Sequence, residues 1–84
     1  MNEFVRKPHA HDVHIGERIR IRRVILRISQ EALAERIGVT FQQIQKYERG
    51  ANRVSGSRMV QIAHALATEP AYFFEGLERS PGLR

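Results

Sequence analysis

Apolar residues recur along the chain at intervals of three and four, the spacing that lines one face of an α-helix. Ile15, Ile19, Arg22 and Leu26 share such a face. With Asp12 placed as an N-cap, they predict a helix from Asp12 to about Leu26. A second stripe, Ile21, Val24 and Ile25, lies on another side of the same helix and asks for a cover, from the last helix or from a second subunit. Ser29 caps a helix over Gln30–Ile37, with Glu31 in the first turn where the helix dipole favours an acid, and Leu33, Ala34 and Ile37 as its inner face. Gly38 ends it.

The next stretch, "GVTFQQIQKYERG", is a short helix with few apolar residues. Thr40 caps it and Gln43 stands three residues later, the spacing of a capping box. Val39 and Ile44 are placed as a hydrophobic staple, and Gly50 stops the helix. Only Ile44 and Tyr47 look inward, so Phe41, Gln42, Gln45, Lys46 and Arg49 are expected to face out. Two helices of about two turns joined by a Gly-containing turn have the form of a helix-turn-helix. Ser55 then caps a fourth helix, stapled by Val54 and Met59, whose inner face is Met59, Ile62, Ala63 and Leu66. Glu69-Pro70 opens a last short helix carrying Tyr72, Phe73 and Phe74, and Gly76 closes it. Residues 1–11 are polar, contain Pro8 and lack periodicity, so they read as a flexible arm; 12–76 form the domain and 77–84 a tail. Nothing reads as a strand.

Composition sharpens this picture. The 84 residues suffice for one domain with one modest core. Lys and Arg number 14 against 9 Asp and Glu, giving a net charge of +5. All but Lys7 and Lys46 of the basic residues are arginine, the side chain suited to phosphate and base edges. The pI of about 10.7 is one part of the footprint of a nucleic-acid binder. There are no cysteines, which excludes disulfides and thiolate metal sites and fits a reducing compartment. No secretory h-region is visible, and no apolar run approaches the ~20 residues of a membrane helix, so the chain reads as cytoplasmic.

The outward side of the third helix is therefore where chemistry is expected. A Gln can pair with an adenine edge, Lys can reach guanine, and Phe41 could touch a thymine methyl. "HAHDVH" offers His9, His11, Asp12 and His14 to a metal, but alternating histidines on an arm lack the rigid frame that zinc sites need, so no metal or other cofactor is assigned. His64 reads as a surface residue. No nucleophile–base pair, phosphate loop or paired carboxylate supports an enzyme.

The stretch "RIRIRRVILRISQEALAERIGVTFQQIQKYERG", continued by "NRVSGSRMVQIAHAL" and "YFFEG", resembles the Cro and phage-repressor-like (xenobiotic-response-element type) helix-turn-helix family. "TFQQIQKYE" and "NRVS" are similar to its alpha-proteobacterial regulators. The resemblance implies an all-α, compact five-helix lambda-repressor-like domain whose helices 2 and 3 form the motif. It implies base reading by Thr40, Phe41, Gln42 and Lys46. Phosphate contacts are implied for Gln30, Gln43, Arg49, Asn52, Arg53, Ser57 and Arg58, and a mostly buried ion pair for Arg23 and Glu48. Arg27 stands where many members have Gly, so it is expected in a left-handed turn. Arg22 stands where Leu is common, so its stem is expected in the core and its head at the surface. Ala67-Thr68 replaces a common Gly-Val. The expected function is a sequence-specific double-stranded DNA-binding regulator, a repressor acting as a homodimer on a palindromic operator. Phe73 and Phe74, with Ile21, Val24 and Ile25, are the dimer candidates. The rival is a protein-interaction module, as in antitoxins of the same fold.

Overall fold

The computed structural model describes residues 9–77. Four α-helices follow one another: α1 (Ala10–Ile25), α2 (Gln30–Ile37), α3 (Phe41–Glu48) and α4 (Gly56–Ala65). A 3-10 helix, Pro70–Phe74, closes the series. No strand occurs among the described residues, and no helix among them is long and apolar enough to cross a membrane. The expected fifth helix is thus a short 3-10 segment. Five residues that begin with a proline close too few i→i−4 bonds to sustain an α-helix, and tighter 3-10 geometry is the usual form of so short a piece.

The expected arm and tail fall outside the described residues except for 9–11 and Leu77. Within that overlap the helix begins earlier than expected. His9, not Asp12, is the N-cap of α1, its Nδ1 accepting from the His11 amide at 3.0 Å. Asp12 lies inside the first turn, where a carboxylate still meets the positive end of the helix dipole, and it is buried. The caps of the other α-helices stand as expected: Ser29, Thr40 and Ser55 accept from Ala32, Gln43 and Arg58 amides.

Three helices end in the same way. In α1, α3 and α4 the residue two beyond the last helical position is left-handed, and the next amide turns back to a carbonyl five residues earlier: Ile28 to Arg23, Ala51 to Lys46 and Thr68 to Ala63. Gly50 fills the left-handed place after α3, but Arg27 (φ 57°) and Ala67 (φ 52°) fill the other two. The chain accepts this strain because the returning hydrogen bonds hold both turns. Arg27→Gly removes it, partly offset by the greater freedom of glycine in the unfolded chain. A net gain of about 0.5–1 kcal/mol is expected, read as a higher urea midpoint at unchanged slope.

Ile19, Leu33, Ile44, Ile62, Leu66 and Phe73 are fully buried and form the centre of the core. α1 packs on α3 and on the 3-10 helix, while α2 packs on α3 and α4. Phe73 contributes to this core, so it is not available as a dimer surface; the middle ring of the aromatic triplet is the one the tight turn directs inward. Phe74 is 46% exposed, and Ile21, Val24 and Ile25 also remain exposed, so the 3-10 helix does not cover that stripe.

Arginines fasten helix ends. The half-buried Arg22 donates from Nε to Leu66 O and from Nη2 to Ala67 O, and Arg36 donates to Ala65 O, which satisfies carbonyls at the end of α4. Arg18 donates to Tyr72 O, pairs with Glu75 at 2.9 Å and lies 3.9 Å over the Tyr72 ring. His14 joins Glu75 O at 2.6 Å. These contacts seat the 3-10 helix on α1.

Candidate nucleic-acid interface

α2 and α3 are joined by Gly38-Val39-Thr40. Gly38 is left-handed (φ 73°), and the Val39 amide bonds back to Ala34 O, so the turn is tight and hydrogen-bonded. Thr40 Oγ1 accepts from the Gln43 amide at 3.1 Å, but the reciprocal half of the capping box is not the contact Gln43 makes. Its Nε2 donates instead to Asn52 Oδ1 at 3.4 Å, tying the start of α3 to the loop beyond its end.

Burial divides α3 sharply. Ile44, Tyr47 and Glu48 are buried; Gln42, Lys46 and Arg49 are exposed; Phe41, Gln43 and Gln45 are intermediate. Gln42, Lys46 and Arg49 are spaced four and three apart, so they share one face one turn above another. Thr40 is exposed at the start of this face. Phe41 is half-buried, which limits the part of its ring open to a ligand.

A polar hub fixes the other side of α3. Arg23 grips Glu48 with both ends of a fork, Nε to Oε2 at 2.6 Å and Nη2 to Oε1 at 3.0 Å, and its Nη1 donates to Ile28 O at 2.9 Å. Gln30 Nε2 donates to Glu48 Oε1 at 3.0 Å. The Arg23 and Glu48 side chains are only 12% and 3% exposed. One carboxylate thus ties together the end of α1, the loop before α2, the start of α2 and the end of α3. Gly16 brings α1 and α3 close: a Cβ there would lie 2.2 Å from Tyr47 O and 2.7 Å from Glu48 O. A glycine inside a helix gives no hint of this in the sequence, since it reads only as a weak helix former.

The remaining site candidates lie beyond α3. Asn52 is half-buried on Gln43, and Arg53 is exposed, its Nε 3.5 Å from Asp12 Oδ2. Ser57 is exposed beside Ser55, with their hydroxyls 3.4 Å apart. Arg58 is engaged within the fold, where Nη1 donates to Ile37 O at 3.1 Å and Gln61 Oε1 at 2.9 Å. Of the histidines, His9 serves the cap, its ring 4.8 Å from that of His11, and His14 joins Glu75 O. Among the described residues no group of three or more His, Cys, Asp or Glu could hold a metal ion. His64 is exposed, on a shallow cleft with Arg36, Ile37, Gln61 and Ala65.

The helix-turn-helix family model matches residues 19–73 of this chain. An uncharacterized transcriptional regulator in the ATPase CF(0) region of Rhodospirillum rubrum is 61% identical over 71 residues, 84% of this chain and 66% of that protein. The restriction-modification controller protein C.AhdI from Aeromonas hydrophila superposes with a TM-score of 0.75 at 35% identity, covering 79% of this chain and all of that one. The P22 c2 repressor, solved in complex with a synthetic operator, gives 0.68 at 36% identity over 75% of this chain and 96% of its own. The chain spans about half to two thirds of the length of the first curated relatives it matches. Those relatives, from Rhodospirillum, Sinorhizobium and Rhizobium, are uncharacterized transcriptional regulators. The chain belongs to the Cro- and phage-repressor-like helix-turn-helix family of transcription regulators, and is similar to alpha-proteobacterial members of it.

Proposed function

We propose that the protein is a repressor that binds double-stranded DNA sequence-specifically, in the cytoplasm, as a homodimer on a palindromic operator. The observation that carries this reading is α3: capped at Thr40, held by the Arg23–Glu48 hub, and exposing Gln42, Lys46 and Arg49 on one face of a chain of charge +5. In this reading α3 lies in the major groove. Thr40, Phe41, Gln42 and Lys46 meet base edges, while Gln30, Gln43, Arg49, Asn52, Arg53, Ser57 and Arg58 hold phosphates. Arg58 would serve with the nitrogens that Ile37 and Gln61 leave open.

One α3 reads only a few base pairs, so specificity calls for two copies with half-sites about one helical turn apart. The exposed Ile21, Val24, Ile25 and Phe74 supply apolar surface for the pairing. Light scattering on the eluting protein at tens of micromolar is expected to give two subunits; one subunit, with and without DNA, rules the homodimer out. The same exposed surface also suits a protein partner, as in an antitoxin-type module. Salt separates the readings, because DNA affinity falls steeply as salt rises and each neutralised phosphate releases counterions.

Selection of duplexes from a random pool tests the whole reading: a two-fold symmetric motif is expected, and failure to enrich any sequence sinks it. Gln42→Ala is expected to relax preference at one base position in each half-site, at about 1–3 kcal/mol for the preferred base. Arg53→Ala is expected to weaken all duplexes alike and to reduce the salt slope by about one. Binding titrations at several salt concentrations distinguish the two effects.

A further inference from the structure

Most arginines among the described residues are engaged within the fold. Arg18, Arg22, Arg36 and Arg58 donate to carbonyls of other elements, and Arg23 grips Glu48. Arg27 differs. Its side chain is exposed and takes no hydrogen bond or ion pair among the described residues. Its backbone, by contrast, is firmly held. The Arg27 amide donates to Val24 O at 2.9 Å, the Ile28 amide to Arg23 O at 3.0 Å, and Arg23 Nη1 to Ile28 O at 2.9 Å. An unpartnered cation thus stands on a fixed mount, at the left-handed position after α1.

The turn itself does not call for arginine. Ala67 takes the same left-handed place after α4 with a methyl group, and glycine would take either place without strain. What arginine adds is a positive charge at one particular spot. Three residues on, Gln30 opens α2 and donates to Glu48 of α3, the carboxylate that Arg23 also holds. Chain length alone keeps the Arg27 and Gln30 Cα atoms within about 11 Å of each other. We propose that Arg27 is a further phosphate contact, forming with Gln30 a two-point clasp on the DNA backbone at the start of α2. This rests on the reading in which that end of α2 lies on DNA. Arginine suits the task because its planar fork can meet two oxygens of one phosphate. A mount fixed in advance leaves less freedom to lose on binding.

Arg27→Gly gives two readouts of opposite sign. It relieves the backbone strain, so the variant is expected to have a raised urea midpoint, and yet to bind DNA about threefold to tenfold more weakly. Weaker binding by a more stable chain cannot come from unfolding. The full chain is titrated with a mixed-sequence duplex of about three helical turns, about 30 base pairs, at about 50 and about 200 mM salt. Loss of one phosphate contact removes about 0.9 from the salt slope for each subunit bound. The gap to the unaltered chain therefore narrows about threefold per subunit between these two salts.

Arg27→Asn tolerates the left-handed turn without the charge and is expected to lose the same slope, whereas Arg27→Lys keeps the charge and is expected to retain it. Arg36→Ala removes an equal charge from the last turn of α2 and is expected to leave the slope unchanged. If Arg27→Gly and Arg27→Asn keep the affinity and slope of the unaltered chain while Arg53→Ala lowers them, the contact at Arg27 is overturned and the DNA reading stands. An equal loss of slope in Arg36→Ala also overturns it, since net charge then accounts for the effect. If the unaltered chain shows no salt-dependent binding, the DNA reading fails and the clasp fails with it. Should Arg27→Gly not fold, Arg27→Lys and Arg27→Asn decide: a lower slope in Arg27→Asn supports the proposal, and equal slopes overturn it.

Discussion

Glu48→Ala is expected to cost the domain about 3–5 kcal/mol, a large part of the stability of so small a fold. Glu48 receives Arg23 from α1 and Gln30 from α2 while standing on α3. Removing it leaves the Arg23 guanidinium, 12% exposed, with Ile28 O as its remaining partner among these contacts. A buried charge stripped of its counter-ion is the expensive product, not the lost attraction as such. The same logic makes a second outcome expected: Arg23→Met combined with Glu48→Leu should be less damaging than Glu48→Ala alone, because no buried charge survives. Urea unfolding of the single and double variants measures both. Equal losses for the two would show that the pair stabilises by its own attraction and not by mutual neutralisation.

Gly16→Ala is the other severe change. Restoring an ordinary contact of 3.4 Å to Tyr47 O, where a Cβ would sit at 2.2 Å, requires α1 to withdraw from α3 by more than 1 Å. The obstacle is backbone carbonyl and cannot rotate away. Withdrawal would also stretch the Arg23–Glu48 fork, since those residues lie on the same two helices. A loss of about 3 kcal/mol or more is expected, at the upper end of overpacking effects. For a domain of this size that lowers the melting temperature by about 12–24 °C. Gly56→Ala is the control: it is also helical, but a Cβ there meets nothing within 4 Å, so no comparable loss is expected. Calorimetry on the two variants side by side separates crowding at residue 16 from a general effect of losing glycine.

What the sequence revealed and what it hid follow one physical division. Signals written in neighbouring residues were legible. Ser29, Thr40 and Ser55 mark helix starts because their oxygens serve amides three residues on, and Gly38 and Gly50 mark stops. The outward face at Gln42, Lys46 and Arg49 follows from the same period. Asp12 misled because an acid inside the first turn looks like an acid at the cap, and histidine is not a usual cap. Phe73 misled because three aromatics in a row do not reveal which one a 3-10 turn sends inward. Gln43 completes only half of its expected box because Asn52, nine residues on, offers a partner. Contacts between distant parts of the chain, such as Gly16 against α3 and Arg53 on Asp12, leave no local trace. Arg23 with Glu48 was expected only through the resemblance, by position rather than by periodicity.

The seating of the 3-10 helix also sets how far the gene can be trimmed. Phe73 is fully enclosed, and Arg18 and His14 reach past it to Glu75. A fragment cut after Leu66 would retain the whole helix-turn-helix yet strip α1 of the 3-10 helix that packs on it. A fusion junction or protease site is therefore tolerable only beyond Gly76, and the smallest autonomous folding unit is longer than the helix-turn-helix motif.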